Sequence, residues 1–526
     1  MNRLRWLARM WHTLRYLKSV QLFGRVWFRL YRPRPDARPA PPMRAAGGLW
    51  RPCRRAASLM APMRLQLLGV EHEIADAQDW NRADWPRLWL YNAHYFDDLV
   101  AEDASARGDW HRGLLARWLR DNPPVRGCGW EPYPTSLRIV NWCKWTLAGN
   151  TLDDAARHGL VMQVRHLRRR IEWHLLGNHL WANAKALVFA GCCFDGPEAA
   201  RWRARGLEIL QAQLREQVLA DGGHFERSPM YHGIVLEDVL DLLQLDQRLP
   251  ALLPDALRCA LHDAVPRMLH WLRSMSHGDG EIAFFNDAAL GISPNLAALV
   301  AYAATLGLET GAAANASSTL LEASGFARLQ SGAAVLIADV GGVAPDYLPG
   351  HAHAGTLSFE LSLGARRVLV NSGISTYAEG PERLHQRGTA AHNCVVVDAA
   401  DSSEVWSAFR VARRARVLDR AFDAAVGLLA ATHDGYRRLG GGVLHRREWQ
   451  LDAHTLTITD HIDGRFERAE ARFHFAPGCE LEWSAEGGSG AIEASTWHPR
   501  FGESIASRVL VVRFHGARCV VRFQFG

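Results

Sequence analysis

TGAAANASSTLLEASG, residues 310–325, divides the chain into two kinds of sequence. Before it, apolar residues recur at helical spacing. Leu180, Ala184, Leu187 and Gly191 lie three and four apart, as do Val235, Val239, Leu242 and Leu243, so each set makes one helical face. Pro123-Pro124, Gly222-Gly223 and the Gly278–Gly280 stretch punctuate these runs. The pattern from about residue 80 to 310 predicts a layer of helical hairpins. After the small-residue stretch, the runs become short, β-branched and aromatic. Residues 333–340, 356–363, 367–371, 394–398, 455–460, 472–475, 509–514 and 519–525 read as strands between Gly and Asp turns. Strands without alternating helices argue for an antiparallel sandwich. The chain is therefore read as multidomain, α then β: a unit over 1–48, a helical domain over 49–315 and a β domain over 316–526.

A chain of 526 residues exceeds one ordinary hydrophobic core. With 48% hydrophobic and 22% charged residues it is globular rather than disordered. Its net charge of +6 suits an anionic partner without calling for nucleic acid. Twenty Trp and ten Tyr supply rings that fill cores and also stack on the apolar faces of sugars. The nine cysteines include an adjacent pair, Cys192 and Cys193, and form no C-x-x-C, which fits buried thiols in a reducing compartment.

Residues 1–35 carry nine Arg or Lys and no acid, with Leu7, Trp11, Leu14, Leu22, Val26, Trp27 and Leu30 spread among them. This stretch has neither the apolar run nor the cleavage site of a signal peptide, and no run long enough to span a membrane. It reads as a basic amphipathic helix that either lies on an anionic membrane surface or packs on the main body with its Arg side solvated. The Pro-, Ala- and Arg-rich residues 33–48 read as an extended linker. The expected location is cytoplasmic or membrane-associated, with the periplasm as the alternative.

Four clusters carry candidate chemistry. GNHLWANAK (177–185) opens a helix, where Asn178 and His179 meet exposed N–H groups that favour an anion. DGGHFERSPMYHG (221–233) packs ionisable groups into one loop. Tyr231 there is a proton donor or acceptor, with Arg227, His224 and His232 expected to lower its pKa, and Glu226 beside them. In PGHAHAGTLSFEL (349–361), His351 and His353 are two apart and share a face if extended, which suits one site or two metal ligands. Asn371 and His392 are the candidates to complete a metal site. WEPYPTSLRIVNW (130–142) surrounds Arg138 with Trp130 and Tyr133, the makings of a sugar platform with a carboxylate-binding Arg.

GNHLWANAKALVFAG, DGGHFERSPMYHGIVLEDVLDL, FFNDAALGISP, GHAHAGTLSFELSLGARRVLVNSG and RGTAAHNCVVVD, taken in that order, make the chain resemble the heparinase II/III superfamily of polysaccharide lyases. The resemblance covers roughly residues 80–420. It implies an incomplete (α/α) toroid followed by an antiparallel β-sandwich, with the site in the cleft between them. It also implies elimination by Asn178 or His179, Tyr231 and His351, and a structural zinc at His353, Asn371 and His392. Trp130, Tyr133, Arg138, His224, Glu226 and Arg227 are the expected substrate contacts. Three positions depart from the family's pattern. Gly355 replaces an acid after the second His, neutral Asn371 stands where an acidic ligand is usual, and Ala182 replaces a Glu.

The expected reaction is β-elimination on a uronic-acid polymer, with the C6 carboxylate held while C5 loses its proton and the C4 oxygen departs. A role in making or trimming the cell's own exopolysaccharide fits the basic stretch. Two rivals remain on sequence alone. One is a glycoside hydrolase drawing a carboxylate pair from Asp221, Glu226, Asp279, Glu281 and Asp287. The other is a non-catalytic polysaccharide-binding or assembly protein that keeps the fold.

Overall fold

The computed structural model describes residues 3–45, 48–311 and 317–525. The domain border expected between 315 and 316 therefore lies outside the described residues. A hairpin of two helices, α1 (Arg3–Leu14) and α2 (Ser19–Leu30), precedes an extended segment. The helical half follows: α3 (Arg87–Ala93), α4 (Gly108–Asp121), α5 (Pro132–Leu147), α6 (Asp154–Arg169), α7 (Gly177–Cys193), α8 (Pro197–Gln217), α9 (Pro229–Arg248), α10 (Asp255–Ser274) and α11 (Leu296–Thr305). α7 is apolar around most of its circumference and almost wholly buried, so it sits inside the half, packed against α5 and α8. α8 is amphipathic, burying Trp202, Ile209 and Leu210 and leaving Arg and Glu outside. Together these helices form the incomplete toroid around one core that includes Trp118, Trp142, Leu187 and Leu240.

The second half is built on two large antiparallel sheets, beside a two-stranded ribbon of 405–406 and 410–411. The larger runs, edge to edge, through 488–497, 505–514, 469–475, 366–369, 359–363, 334–339, 326–331 and 319–321, with 395–397 pairing beside 469–475. The smaller runs 417–423, 428–433, 444–451, 455–463, 518–524 and 482–486. Along 444–451 every second side chain is inward, so Trp449 and Leu451 join Phe359, Phe473 and Phe523 between the sheets. Arg447 shares that inward face. It is satisfied by Asp460 through bonds of 2.7 and 2.9 Å and by the Leu357 carbonyl at 3.0 Å. A short helix, α12 (Pro381–Arg387), leaves the larger sheet and returns toward the toroid.

The two halves are joined by an apolar seam and by polar bonds. Trp271, Met275 and Phe285 from the end of α10 and the loop after it pack on Phe326, Val335 and Ile337 of the larger sheet. Around that seam, Asp221 accepts the Ser324 N–H and hydroxyl at 2.7 and 2.8 Å, and Arg367 donates to Asp279 at 2.7 Å. These contacts fix the toroid against the sandwich and so define the cleft.

Several expectations change. Residues 1–35 hold two helices rather than one, broken near Tyr16–Lys18. The described part of the linker, 33–45, is strapped to the body. Arg165 donates to the Arg38 and Pro39 carbonyls at 2.6 and 3.0 Å, and the Asp195 N–H reaches Pro42 O at 2.8 Å. A small three-stranded sheet, 59–61, 64–67 and 70–73, precedes the toroid helices. Strands 319–321, 326–331, 417–423, 428–433, 444–451, 482–486 and 488–497 escape sequence reading; in 417–423 and 488–497, exposed polar or small residues hide the apolar run.

Phe326→Ala should lower unfolding free energy by about 3–5 kcal/mol, the usual range for emptying a large buried aromatic site, as measured by denaturant titration. A loss below about 1 kcal/mol would mean that the seam does not hold the halves together.

Candidate active site

A cavity of about 1720 Å³ opens between the halves. Tyr231 comes to it on the first turn of α9. Ser228 caps that helix, its Oγ accepting the Tyr231 N–H at 3.2 Å, and Pro229 opens it. Asn178 comes from the first turn of α7. The turn before it is tight, with Leu176 and Gly177 both at positive φ. A Cβ on Gly177 would lie 2.5 Å from Glu226 Oε1, so the glycine lets that carboxylate reach the Asn178 N–H at 3.0 Å.

His351 comes from the β half, on the loop between strands 334–339 and 359–363. Its ring centroid is 4.1 Å from that of Tyr231. Behind it lies Asp287, fully buried on the loop after α10. His351 Nδ1 donates to Asp287 Oδ2 at 2.8 Å, so Nε2 carries the lone pair and is 3.5 Å from Glu226 Oε2. Asp287 also meets His353 Nε2 at 2.9 Å and Arg383 Nη2 of α12 at 2.7 Å. Its neighbour Asn286, at positive φ, accepts the His353 N–H at 3.0 Å and donates to the Arg227 carbonyl at 2.7 Å. Asn286 and Asp287 thus tie the Tyr231 loop to the His351 loop.

Burial opposes ionisation of Asp287, but Arg383 and the two imidazoles outweigh it and hold the carboxyl well below its ordinary range. Glu226 goes the other way: burial raises its pKa more than His351 and the Asn178 N–H lower it. Glu226 Oε2 is buried with no protein hydrogen-bond partner and lies on the cavity wall. Burial also lifts the Tyr231 phenol well above its ordinary value, with Tyr377 adding to the shift through its own hydroxyl at 3.2 Å. This reverses the expected lowering. His224 turns away to Gln217 at 3.0 Å and His232 to the Met268 carbonyl at 2.9 Å. Arg227 reaches across to Gly342 O and faces Asp339.

Of the expected residues, Asn178, His179, Tyr231, His351, Tyr133 and Glu226 line the cavity. His179 stacks near Tyr133, ring centroids 4.6 Å apart, and contacts Glu172 at 3.2 Å. Burial would lower the His179 pKa, but Glu172 overrides it and the net shift is upward. Arg138, His224, Arg227 and Trp130 stand outside the cavity wall. Arg138 is spent inside the toroid, donating to Gln163 Oε1, His94 O and Gly129 O at 2.8, 3.0 and 2.7 Å. Trp130 is buried with its N–H on Asn122 O at 3.3 Å. Asp287, Arg383 and Tyr377 are additions. FFNDAALG had flagged Asp287 only as a carboxylate, and nothing in the local sequence marks Arg383 or Tyr377.

The expected zinc set is incomplete as arranged. His353 Nδ1 and His392 Nε2 face each other at 3.1 Å, with their other ring nitrogens held by Asp287 and by the Gly388 carbonyl at 2.7 Å as those of ligating imidazoles would be, but the third expected ligand is committed elsewhere. Asn371 spends its amide on Phe284 O at 3.0 Å and on the Asn393 N–H at 3.1 Å. A Cβ at Gly355 would come within 2.9 Å of His392, so the acid common at that position has no room. Among the described residues, no group of three or more His, Cys, Asp or Glu is placed to hold a metal.

A helical toroid packed on an antiparallel sandwich, with a tyrosine from one half and a carboxylate-backed histidine from the other on the wall of one cavity, defines a toroid-and-sandwich protein. The sequence matches two family models: Heparinase II/III N-terminus over residues 157–305, and Heparinase II/III-like, C-terminal, over 313–489. The chain belongs to the heparinase II/III-like family. It is 27% identical over 415 residues to FtsZ-localized protein C of Caulobacter vibrioides, covering 74% of this chain and 66% of that protein. It is 23% identical over 324 residues to a heparin-sulfate lyase of Bacteroides stercoris, covering 57% of this chain and 45% of that one. The chain thus spans less than two thirds of the length of these relatives. A crystal structure of heparinase III superposes with a TM-score of 0.68 at 16% identity, over 85% of this chain and 79% of that one.

Asp287→Asn should destabilise the fold by about 3–5 kcal/mol, because it leaves the buried Arg383 guanidinium without its counter-charge. Thermal unfolding of the variant checks this. A melting temperature equal to that of the unaltered protein would remove Asp287 from its place at the junction.

Proposed function

We propose that the protein is a polysaccharide lyase that cleaves a uronic-acid-containing acidic polysaccharide by β-elimination. One observation carries the reading: Tyr231 from the toroid and His351 from the sandwich meet on the wall of one cavity, ring centroids 4.1 Å apart, with Asp287 fixing the imidazole from behind. The family membership and the lyases among its relatives support it. The basic residues 1–35 favour a polymer of the cell's own making, an exopolysaccharide.

The uronate carboxylate must be held while charge builds at C5. Asn178 and a neutral Glu226 supply uncharged donors on one side of the cleft, and a protonated His179 supplies a cation beside them. His351 takes the C5 proton on Nε2, and the resulting imidazolium is stabilised by Asp287. Tyr231, neutral at working pH, gives its proton to the departing C4 oxygen. A C4=C5 double bond and a free hydroxyl result, and the phenol and imidazole return to their starting states by proton exchange with water. Tyr133, Tyr377 and Phe409 supply ring faces for the sugars on either side.

The hydrolase alternative needs two available carboxylates. Of the carboxylates weighed for that role, Asp287 is consumed by Arg383 and two histidines, and Asp221, Asp279 and Glu281 stand outside the cavity wall, so Glu226 has no second partner among them.

Uronate polysaccharides incubated with the protein should gain ultraviolet absorbance from unsaturated ends. Tyr231→Phe should abolish that gain while oligosaccharide binding persists. New reducing ends without absorbance would point to hydrolysis and end the lyase reading. Glu226→Gln supplies a pH test. Wild-type KM should rise as pH climbs through the raised pKa of Glu226, because the ionised acid repels the substrate carboxylate. The Gln variant should lack that rise. Identical pH profiles for the two proteins would exclude this role for Glu226.

A further inference from the structure

The α1–α2 hairpin has two unlike faces. One is anchored to the body beside the cleft. Thr13 Oγ1 accepts the Trp406 N–H at 3.1 Å, Gln21 donates to the Tyr347 carbonyl at 3.1 Å, and Lys18 lies 3.7 Å over the Tyr347 ring. Phe28 packs on His174, ring centroids 4.2 Å apart, beneath the Arg170 guanidinium. The other face is apolar and open. Trp6, Leu7 and Trp11 of α1 and Phe23, Trp27 and Leu30 of α2 are exposed, Phe23 and Leu30 at 76% and Trp11 at 65%. Core formation does not account for so many exposed large apolar side chains on two successive helices, and exposed apolar surface of this kind marks a contact surface.

We infer that the α1–α2 hairpin docks the protein on the surface of an anionic lipid bilayer, with its Trp, Phe and Leu side chains entering the headgroup–acyl boundary. Charge selects this occupant. Residues 1–35 hold nine cations and no acid, and Arg15, Arg29 and Arg32 are exposed. Anionic headgroups complement that charge, whereas a second copy of this chain would bring like charges together on an isologous face. Tryptophan on such a face is suited to the membrane–water boundary. Each helix has 12 residues, about 18 Å at helical rise, which is too short to cross a bilayer but suited to lying in its surface. No helix among the described residues is long and apolar enough to cross a membrane. Met10, Leu14, Leu17 and Gln21 of the same hairpin line the cleft, so docking sets the cleft opening beside the bilayer.

The test is co-sedimentation of the full chain with vesicles of phosphatidylcholine alone, or of phosphatidylcholine with phosphatidylglycerol. The expected result is binding to the anionic vesicles that weakens as salt is raised. It should fall by about tenfold or more in the Trp11→Glu/Trp27→Glu double variant, which removes apolar contact and adds repulsion. Phe23→Ser/Leu30→Ser provides a second, milder pair at exposed positions should the first fail to fold, with thermal unfolding as the check on both. Failure of the unaltered protein to sediment with either vesicle would overturn the inference. So would undiminished sedimentation of folded variants. A dimer of the unaltered protein that becomes monomeric in the variants, without vesicle binding, would assign the face to a second copy instead.

Discussion

The buried Asp287 carboxylate is the constraint around which the cleft is built. It has no water to solvate it, so its charge is tolerable only while protein groups surround it. Those groups come from two separate segments of the β half: His351 and His353 of one loop, and Arg383 of α12. Asp287 itself stands on a loop of the toroid side. Moving the sandwich away from the toroid would therefore strand one negative charge and one guanidinium in the interior, a cost of several kcal/mol. The apolar seam from Trp271 to Ile337 brings the halves together without fixing direction. The carboxylate adds the direction, because its hydrogen bonds specify where each partner must sit.

From that one constraint the protonation states across the cleft follow. Asp287 orients His351 with Nδ1–H turned inward, which leaves Nε2 as the acceptor toward the cavity. Tyr231 and Glu226 sit in the same dry wall without such a counter-charge, and both are biased to their neutral forms. One acceptor therefore faces two neutral donors. In the reaction proposed above, that asymmetry would set the proton acceptor apart from the proton donors. Had His224 and Arg227 flanked Tyr231, the phenol would have been biased toward its anion and the roles would not separate.

The same network explains how the His351 loop is held in a chain that departs from its family at Asn371 and Gly355. Asn371 spends its amide on backbone groups of two neighbouring segments, and its N–H is taken by Glu360 at 2.8 Å. Glu360 in turn accepts His277 and the Phe284 N–H at 2.9 and 3.1 Å. An acid at 371 would place a second buried carboxylate close to Glu360, and burying two charges there requires a cation. The neutral amide avoids that requirement. Gly355 belongs to the same arrangement, since its missing side chain leaves the His392 ring room to turn toward His353.

What could be read from the sequence divides by the range of the forces involved. The α-then-β order, α7 beginning at Gly177 and the larger-sheet strands 334–339, 359–363, 366–369, 395–397, 469–475 and 505–514 were legible because periodicity and turn residues act locally. Tyr231, His351 and Asn178 were legible as unusual groups within ordered motifs. Arg138 misled for an equally physical reason. A guanidinium flanked by Trp130 and Tyr133 looks the same in sequence whether its five donors meet a ligand or, as in this fold, the carbonyls of Gly129 and His94. Arg383 and Tyr377 could not be found because their importance comes entirely from partners 96 and 146 residues away, Asp287 and Tyr231. A pairwise contact at that separation leaves no trace in spacing or composition. The chemistry of this cleft is therefore a property of the fold's closure, and each local motif supplies only one side of it.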